Sequence, residues 1–226
     1  MTSPKDQLKN YPSVLPARQA LPRVTWRQAT AWILATSISA AIGWAGGPYL
    51  AFSQSEFLNV LFYLSFIGLC IGLAQWLVIR GIIRNSIWWS FVTILGWMSA
   101  VPILGVIAHL TRLAVDYIVV FALVCIWVSA IQWLGIREYF RTALWWIALS
   151  GIGGAFGWAL NDLFVQTIVN QVSGGNAIII NLGLGFCLGL GLGTFTALGL
   201  RYLRRRIPGE ETSPLPEDDS PGVTSN

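Results

Sequence analysis

Six long stretches of this chain contain no Lys, Arg or Glu: residues 28–50, 57–79, 87–108, 117–136, 144–165 and 177–200. The one acidic residue among them, Asp162, lies near an end of the fifth. A helix needs about 20 apolar residues to cross a bilayer. Backbone amides in lipid have no water to bond, so such runs satisfy themselves as helices. The strict alternation of barrel strands over about ten residues is missing here, which excludes a β-barrel. The expected fold is all-α: a polytopic membrane helical bundle of six transmembrane helices.

Composition agrees. The 226 residues are 55% hydrophobic and 11% charged, with a mean hydropathy of +0.64. Soluble domains carry about 25% charge. The deficit is too large for a soluble surface, which needs polar cover.

The basic residues are distributed unevenly. With six spans, one side of the membrane receives the N-terminus, the second and fourth connections and the C-terminus. Those segments hold Lys5, Lys9, Arg18, Arg23, Arg27, Arg80, Arg84, Arg137, Arg141, Arg201, Arg204, Arg205 and Arg206, and the other side holds only Arg112. Thirteen against one places both termini in the cytoplasm. It also explains the net charge of +4 without nucleic acid. Residues 1–25 and 207–226 read as polar, proline-containing cytoplasmic tails, the second acidic, and both are expected to be disordered. No apolar run precedes the first span, which is expected to act as its own targeting signal.

The spans echo one another. Gln75-Trp76-Leu77-Val78-Ile79-Arg80 closes the second and Gln132-Trp133-Leu134-Gly135-Ile136-Arg137 the fourth. Thr196-Ala197-Leu198-Gly199-Leu200-Arg201 closes the sixth in weaker form. Trp88-Trp89 and Trp145-Trp146 open the third and fifth, and Gly43-Trp44, Gly96-Trp97 and Gly157-Trp158 lie toward the far ends of the odd spans. The unit is a two-span hairpin, repeated over about 26–84, 87–141 and 144–206. Copies of even span number share one orientation, so a pseudo-threefold axis along the membrane normal is expected. Inverted repeats of many transporters differ in this respect.

This QWLxxR ending followed by a Trp-Trp start resembles uncharacterised multi-pass membrane proteins common in cyanobacteria, over roughly residues 26 to 206. The resemblance implies a bacterial plasma membrane or thylakoid and carries no activity with it. The three-hairpin layout is also that of the mitochondrial carriers, but their Pro-x-Asp/Glu-x-x-Lys/Arg signature is absent.

Polar residues inside the spans are the candidate sites. Gln75 and Gln132 occupy matching positions one turn inside the helix ends, where a primary amide needs a partner on another helix. Asn181, Thr194 and Thr196 complete the polar intramembrane set. Arg80, Arg137 and Arg201, with Arg204, Arg205 and Arg206, are candidates for lipid headgroups, since each cation near an anionic leaflet contributes about 1 kcal/mol. Gly185, Gly189 and Gly193 recur every four residues, and Gly68 and Gly72 repeat the pattern, as ridges that bring helices close. Trp26, Trp32, Trp88, Trp89, Trp145 and Trp146 are expected in an interfacial belt, and Trp44, Trp97 and Trp158 between helices.

No Asp, Glu, Lys or His lies in the middle of a span, as proton relays and ion-coupled carriers require. P-loop, HExxH and GxSxG motifs are absent. Cys70, Cys125 and Cys187 have no metal-ligand spacing, and His109 stands alone. No catalytic residue, metal or cofactor is expected. The expected role is non-enzymatic: a scaffold, assembly or lipid-organising component of a larger membrane complex. The alternative is a channel or facilitator for a small neutral solute. Membrane lipids are the expected partners, with oligomerisation open.

Overall fold

The computed structural model describes residues 24–50, 55–81, 86–110, 116–136, 143–171 and 176–202. Six helices account for most of them: α1 (Trp26–Gly46), α2 (Glu56–Ile79), α3 (Ile87–Leu110), α4 (Tyr117–Ile136), α5 (Ala143–Thr167) and α6 (Ala177–Tyr202). There is no strand among the described residues. Both predicted tails lie outside them, apart from Val24 and Thr25.

Local chemistry sets the helix ends. Thr25 caps α1 with a reciprocal capping box: its hydroxyl accepts from the Gln28 N–H, and the Gln28 side chain accepts from the Thr25 N–H. Ser55 caps α2 in the simpler form, with Glu56 in the first turn facing the positive helix end. Pro48 follows the end of α1 inside a short 3-10 turn, Gly47–Leu50, whereas Pro102 sits within the continuous helix α3. α5 runs on to Thr167, and a 3-10 turn, Val169–Gln171, follows. Val172 lies outside the described residues. His109 falls inside α3.

Among the described residues four helices are long and apolar enough to cross a membrane: 26–50, 56–79, 117–134 and 177–201. Residues 87–100 form a shorter apolar segment. The distribution of polarity is the reverse of a soluble protein's. Leu34, Ile38 and Ile42 of α1 are exposed, while Thr36, Ser37 and Ser39 are buried. On α2 the exposed residues include Leu69, Leu73 and Leu77, and Gln75 is buried. Outward apolar and inward polar faces suit a lipid surround, where hydrocarbon replaces water as the outer solvent.

Each helix packs against its neighbours in sequence, and α6 returns to lie along α1, giving a closed ring. The α1–α6 contact is the most extensive, and glycine makes it so. A Cβ on Gly185 would stand 2.5 Å from the Ala40 carbonyl oxygen, on Gly189 2.6 Å from Ser37 Cα, and on Gly193 3.2 Å from Ile33 Cα. Gly68 and Gly72 do the same for α2 on α3, with 3.0 Å to Ile94 Cα and 3.1 Å to Ser90 Cα. Without a hydrophobic drive between helices in lipid, this backbone approach supplies the dispersion that holds them.

Gly189→Leu should therefore force α1 and α6 apart, at about 1–3 kcal/mol for overpacking. Gly105→Ala, where a Cβ would meet nothing within 4 Å, should be neutral or slightly stabilising. Thermal unfolding of the two variants in detergent, side by side with the parent, measures both.

Candidate functional site: a tryptophan and amide core

Three indoles fill the centre of one end of the ring. Trp32 opens α1, Trp89 opens α3 and Trp146 opens α5, at equal separations of 57 residues (89 − 32 and 146 − 89). Every pair meets edge to face: Trp32–Trp89 at 5.8 Å, Trp32–Trp146 at 5.9 Å and Trp89–Trp146 at 5.5 Å between centroids. This geometry sets the positive rim of one ring against the negative face of the next, at about 0.5–1.5 kcal/mol per pair. Ala29, Ile79, Ala197 and Leu200 close around them.

Buried indole N–H groups need acceptors, and the even helices supply two. Trp89 Nε1 donates to Gln75 Oε1 at 2.9 Å, and Trp32 Nε1 donates to Thr196 Oγ1 at 2.8 Å. The amides are held in turn by hydroxyls on the odd helices. Gln75 Nε2 donates to Thr36 Oγ1 at 3.2 Å, and Gln132 Nε2 to Thr93 Oγ1 at 2.9 Å, both across 39 residues. Thr93, Ser150 and Thr196 each turn their hydroxyl hydrogen back to a carbonyl of their own helix, at 2.7–2.8 Å. Gln75, Gln132 and Thr196 are all at least 95% buried.

The polar residues expected from sequence divide. Gln75, Gln132 and Thr196 come together around the indoles and line a common cavity of about 10 Å³. Thr194 does not join: it is half-buried and donates to its own Leu190 carbonyl at 2.7 Å. Asn181, also half-buried, stands fifteen residues before Thr196, about 22 Å away along α6. Asn181 and Thr194 do not line that cavity.

The tryptophan belt needs correction. Trp26, Trp88 and Trp145 are 65–68% exposed, as a belt requires, but Trp32, Trp89 and Trp146 are at most 4% exposed. Adjacent residues in a helix point about 100° apart, so one indole of each pair faces outward and the other enters the core. Trp97 is buried, and Trp44 and Trp158 both pack on Phe121, at 5.9 and 4.2 Å. The arginines keep to the same end of the bundle as the indole trio. Arg80 lies over the Trp76 ring at 5.9 Å, and Arg201 over the Trp26 ring at 3.6 Å, both exposed. Arg137, Arg204, Arg205 and Arg206 lie outside the described residues.

Thr36, Thr93, Ser150 and the indole trio were not singled out from sequence as one set. Their signal was present: Trp32-x-x-x-Thr36, Trp89-x-x-x-Thr93 and Trp146-x-x-x-Ser150 place an indole and a hydroxyl one turn apart on one face. Among the described residues, the side chains bonded in this core are neutral indoles, amides and hydroxyls. The three cysteines are free, and Cys125 is buried against Gly154.

Trp146→Ala should cost about 3 kcal/mol, the usual range for a buried aromatic truncation, and Trp145→Ala should stay within about 0.5 kcal/mol. Denaturation in mixed micelles compares these two neighbours directly.

Comparison with known proteins finds no matching family model, no matching curated protein and no matching solved structure.

Proposed function

We propose that this chain is a non-enzymatic membrane scaffold, an assembly or lipid-organising component of a larger membrane complex. Its six helices all span the bilayer, as three pseudo-repeated hairpins about an axis along the membrane normal. The observation that carries the reading is local pairing at the core. Gln75, Gln132 and Thr196 are each bonded to a neighbouring helix, and the indole trio occupies the space through which a solute would pass.

Repeated spacings support the hairpin arrangement. The trio is separated by 57 residues, and the two amide–hydroxyl bonds share a separation of 39. The donors also follow a cyclic order: the indole of the second hairpin reaches the amide of the first, and the indole of the first reaches Thr196 of the third. Trp44 and Trp158 differ by twice 57, whereas Trp97 falls one turn outside that register.

Arg80 and Arg201, propped on aromatic faces at one end, fit anionic headgroups in the leaflet favoured by the positive-inside bias. That bias puts both termini in the cytoplasm, and the resemblance noted above points to a bacterial plasma membrane or thylakoid. The small-residue ridge of α6 is already used against α1, which leaves it unavailable for a second copy. A facilitator for a small neutral solute is the second reading. The inward polar faces of the ring favour it, but it requires the indole trio to move.

A cysteine placed at position 214 should react with a membrane-impermeant maleimide only from the cytoplasmic side, and one at position 54 only from the opposite side. Both reacting from one side would overturn the six-span arrangement. Purified in mild detergent from its own membrane, the tagged chain should bring a partner in fixed stoichiometry. Recovery as a lone chain in several detergents would contradict the scaffold reading.

A further inference from the structure

One of the three indoles lacks the partner that its position calls for. Trp89 Nε1, fourteen residues after Gln75, donates to that amide oxygen. Trp146 stands fourteen residues after Gln132, yet its Nε1 is buried with no hydrogen-bond partner among the described residues. The Gln132 amide is held at Nε2 by Thr93, which turns its Oε1 to the other side of the amide group. Both residues line the cavity of about 10 Å³, together with Ser129, Thr196, Cys125 and Gln75.

A fully buried N–H without an acceptor is costly, and native structures rarely leave one. A cavity able to hold a single water has about this volume, and the water needs two to four polar neighbours. Trp146 Nε1 supplies a donor, Gln132 Oε1 an acceptor, and the Ser129 hydroxyl either. An apolar guest would leave the indole and the amide unsatisfied, and a second heavy atom would exceed the space.

We infer that the cavity is a binding site for one water molecule, which accepts from Trp146 Nε1 and donates to Gln132 Oε1. It replaces the direct bond made by Trp89 and Gln75 and completes the third link of the indole–amide ring. Ser129 is a neighbour of this water, and the two-point bridge does not depend on it.

The test uses the full chain, 15N-labelled at tryptophan, in lipid nanodiscs. Indole resonances are assigned with single Trp→Phe variants. A rotating-frame Overhauser spectrum should show a dipolar cross-peak at the water frequency for the Trp146 indole and none for Trp32 or Trp89. The peak should survive Ser129→Ala, which removes relay through that hydroxyl. It should fall at least several-fold in Gln132→Met, in a protein whose Trp32 and Trp89 resonances stay in place. Absence of the peak in the parent chain, its loss in Ser129→Ala, or its persistence unchanged in Gln132→Met would each overturn the assignment. The first measurement is made on the parent chain, so misfolding of the Ser129 or Gln132 variant leaves it decisive.

Discussion

A buried polar group that has left water must find a partner inside the protein, and this requirement organises the core of the bundle. Gln75 is the clearest case. Its oxygen accepts from Trp89 on α3 and its nitrogen donates to Thr36 on α1, so one amide ties three helices together. Single interhelical bonds in membranes average only about 0.6 kcal/mol, and their net stabilisation is modest. Their geometric effect is larger. An amide that is bonded at both ends fixes the rotation of α1, α2 and α3 about their axes, which aims Trp32 and Trp89 at the same point. The three indoles then meet edge to face.

Close backbone approach provides the second constraint. Gly185, Gly189 and Gly193 let α6 settle against α1, which brings Thr196 to the indole of Trp32. Thr196 accepts from Trp32 as Gln75 accepts from Trp89, and its side chain is two heavy atoms shorter than glutamine's. It reaches Trp32 only because the glycine ridge below it removes the side chains that would separate the helices. On the α4–α5 contact the small residue sits on the other partner, with Gly154 accommodating Cys125. The interlocking is therefore shared between facing helices and need not follow one motif.

The helices were legible because lipid imposes a simple rule. Runs that lack charge over the thickness of a bilayer must form helices, and the six expected intervals match the observed elements to within a few residues. The pairing of Gln75 and Gln132 with other helices followed from the same physics. The tryptophans were harder to read. Trp88 and Trp89 are equally apolar and equally close to a helix end, and both interfacial anchoring and core packing favour indole. Only the companion hydroxyl one turn on, Thr93 or Ser150, distinguishes the inward member. Trp97, expected between helices, is buried there. Residue type marks Asn181 and Thr194 as polar positions within α6, and helix rise and rotation set them apart from the cavity that Thr196 lines.

If the indole trio, with Trp32 and Trp89 bonded to neighbouring helices, plugs the ring of helices, no small solute crosses it. Osmotic and solute permeability of proteoliposomes addresses it most directly, by stopped-flow light scattering with urea and glycerol as solutes. Rates should equal those of protein-free vesicles of the same lipid at every protein density. Rates that rise in proportion to incorporated protein and saturate with solute would contradict it, and would make the indole trio a gate.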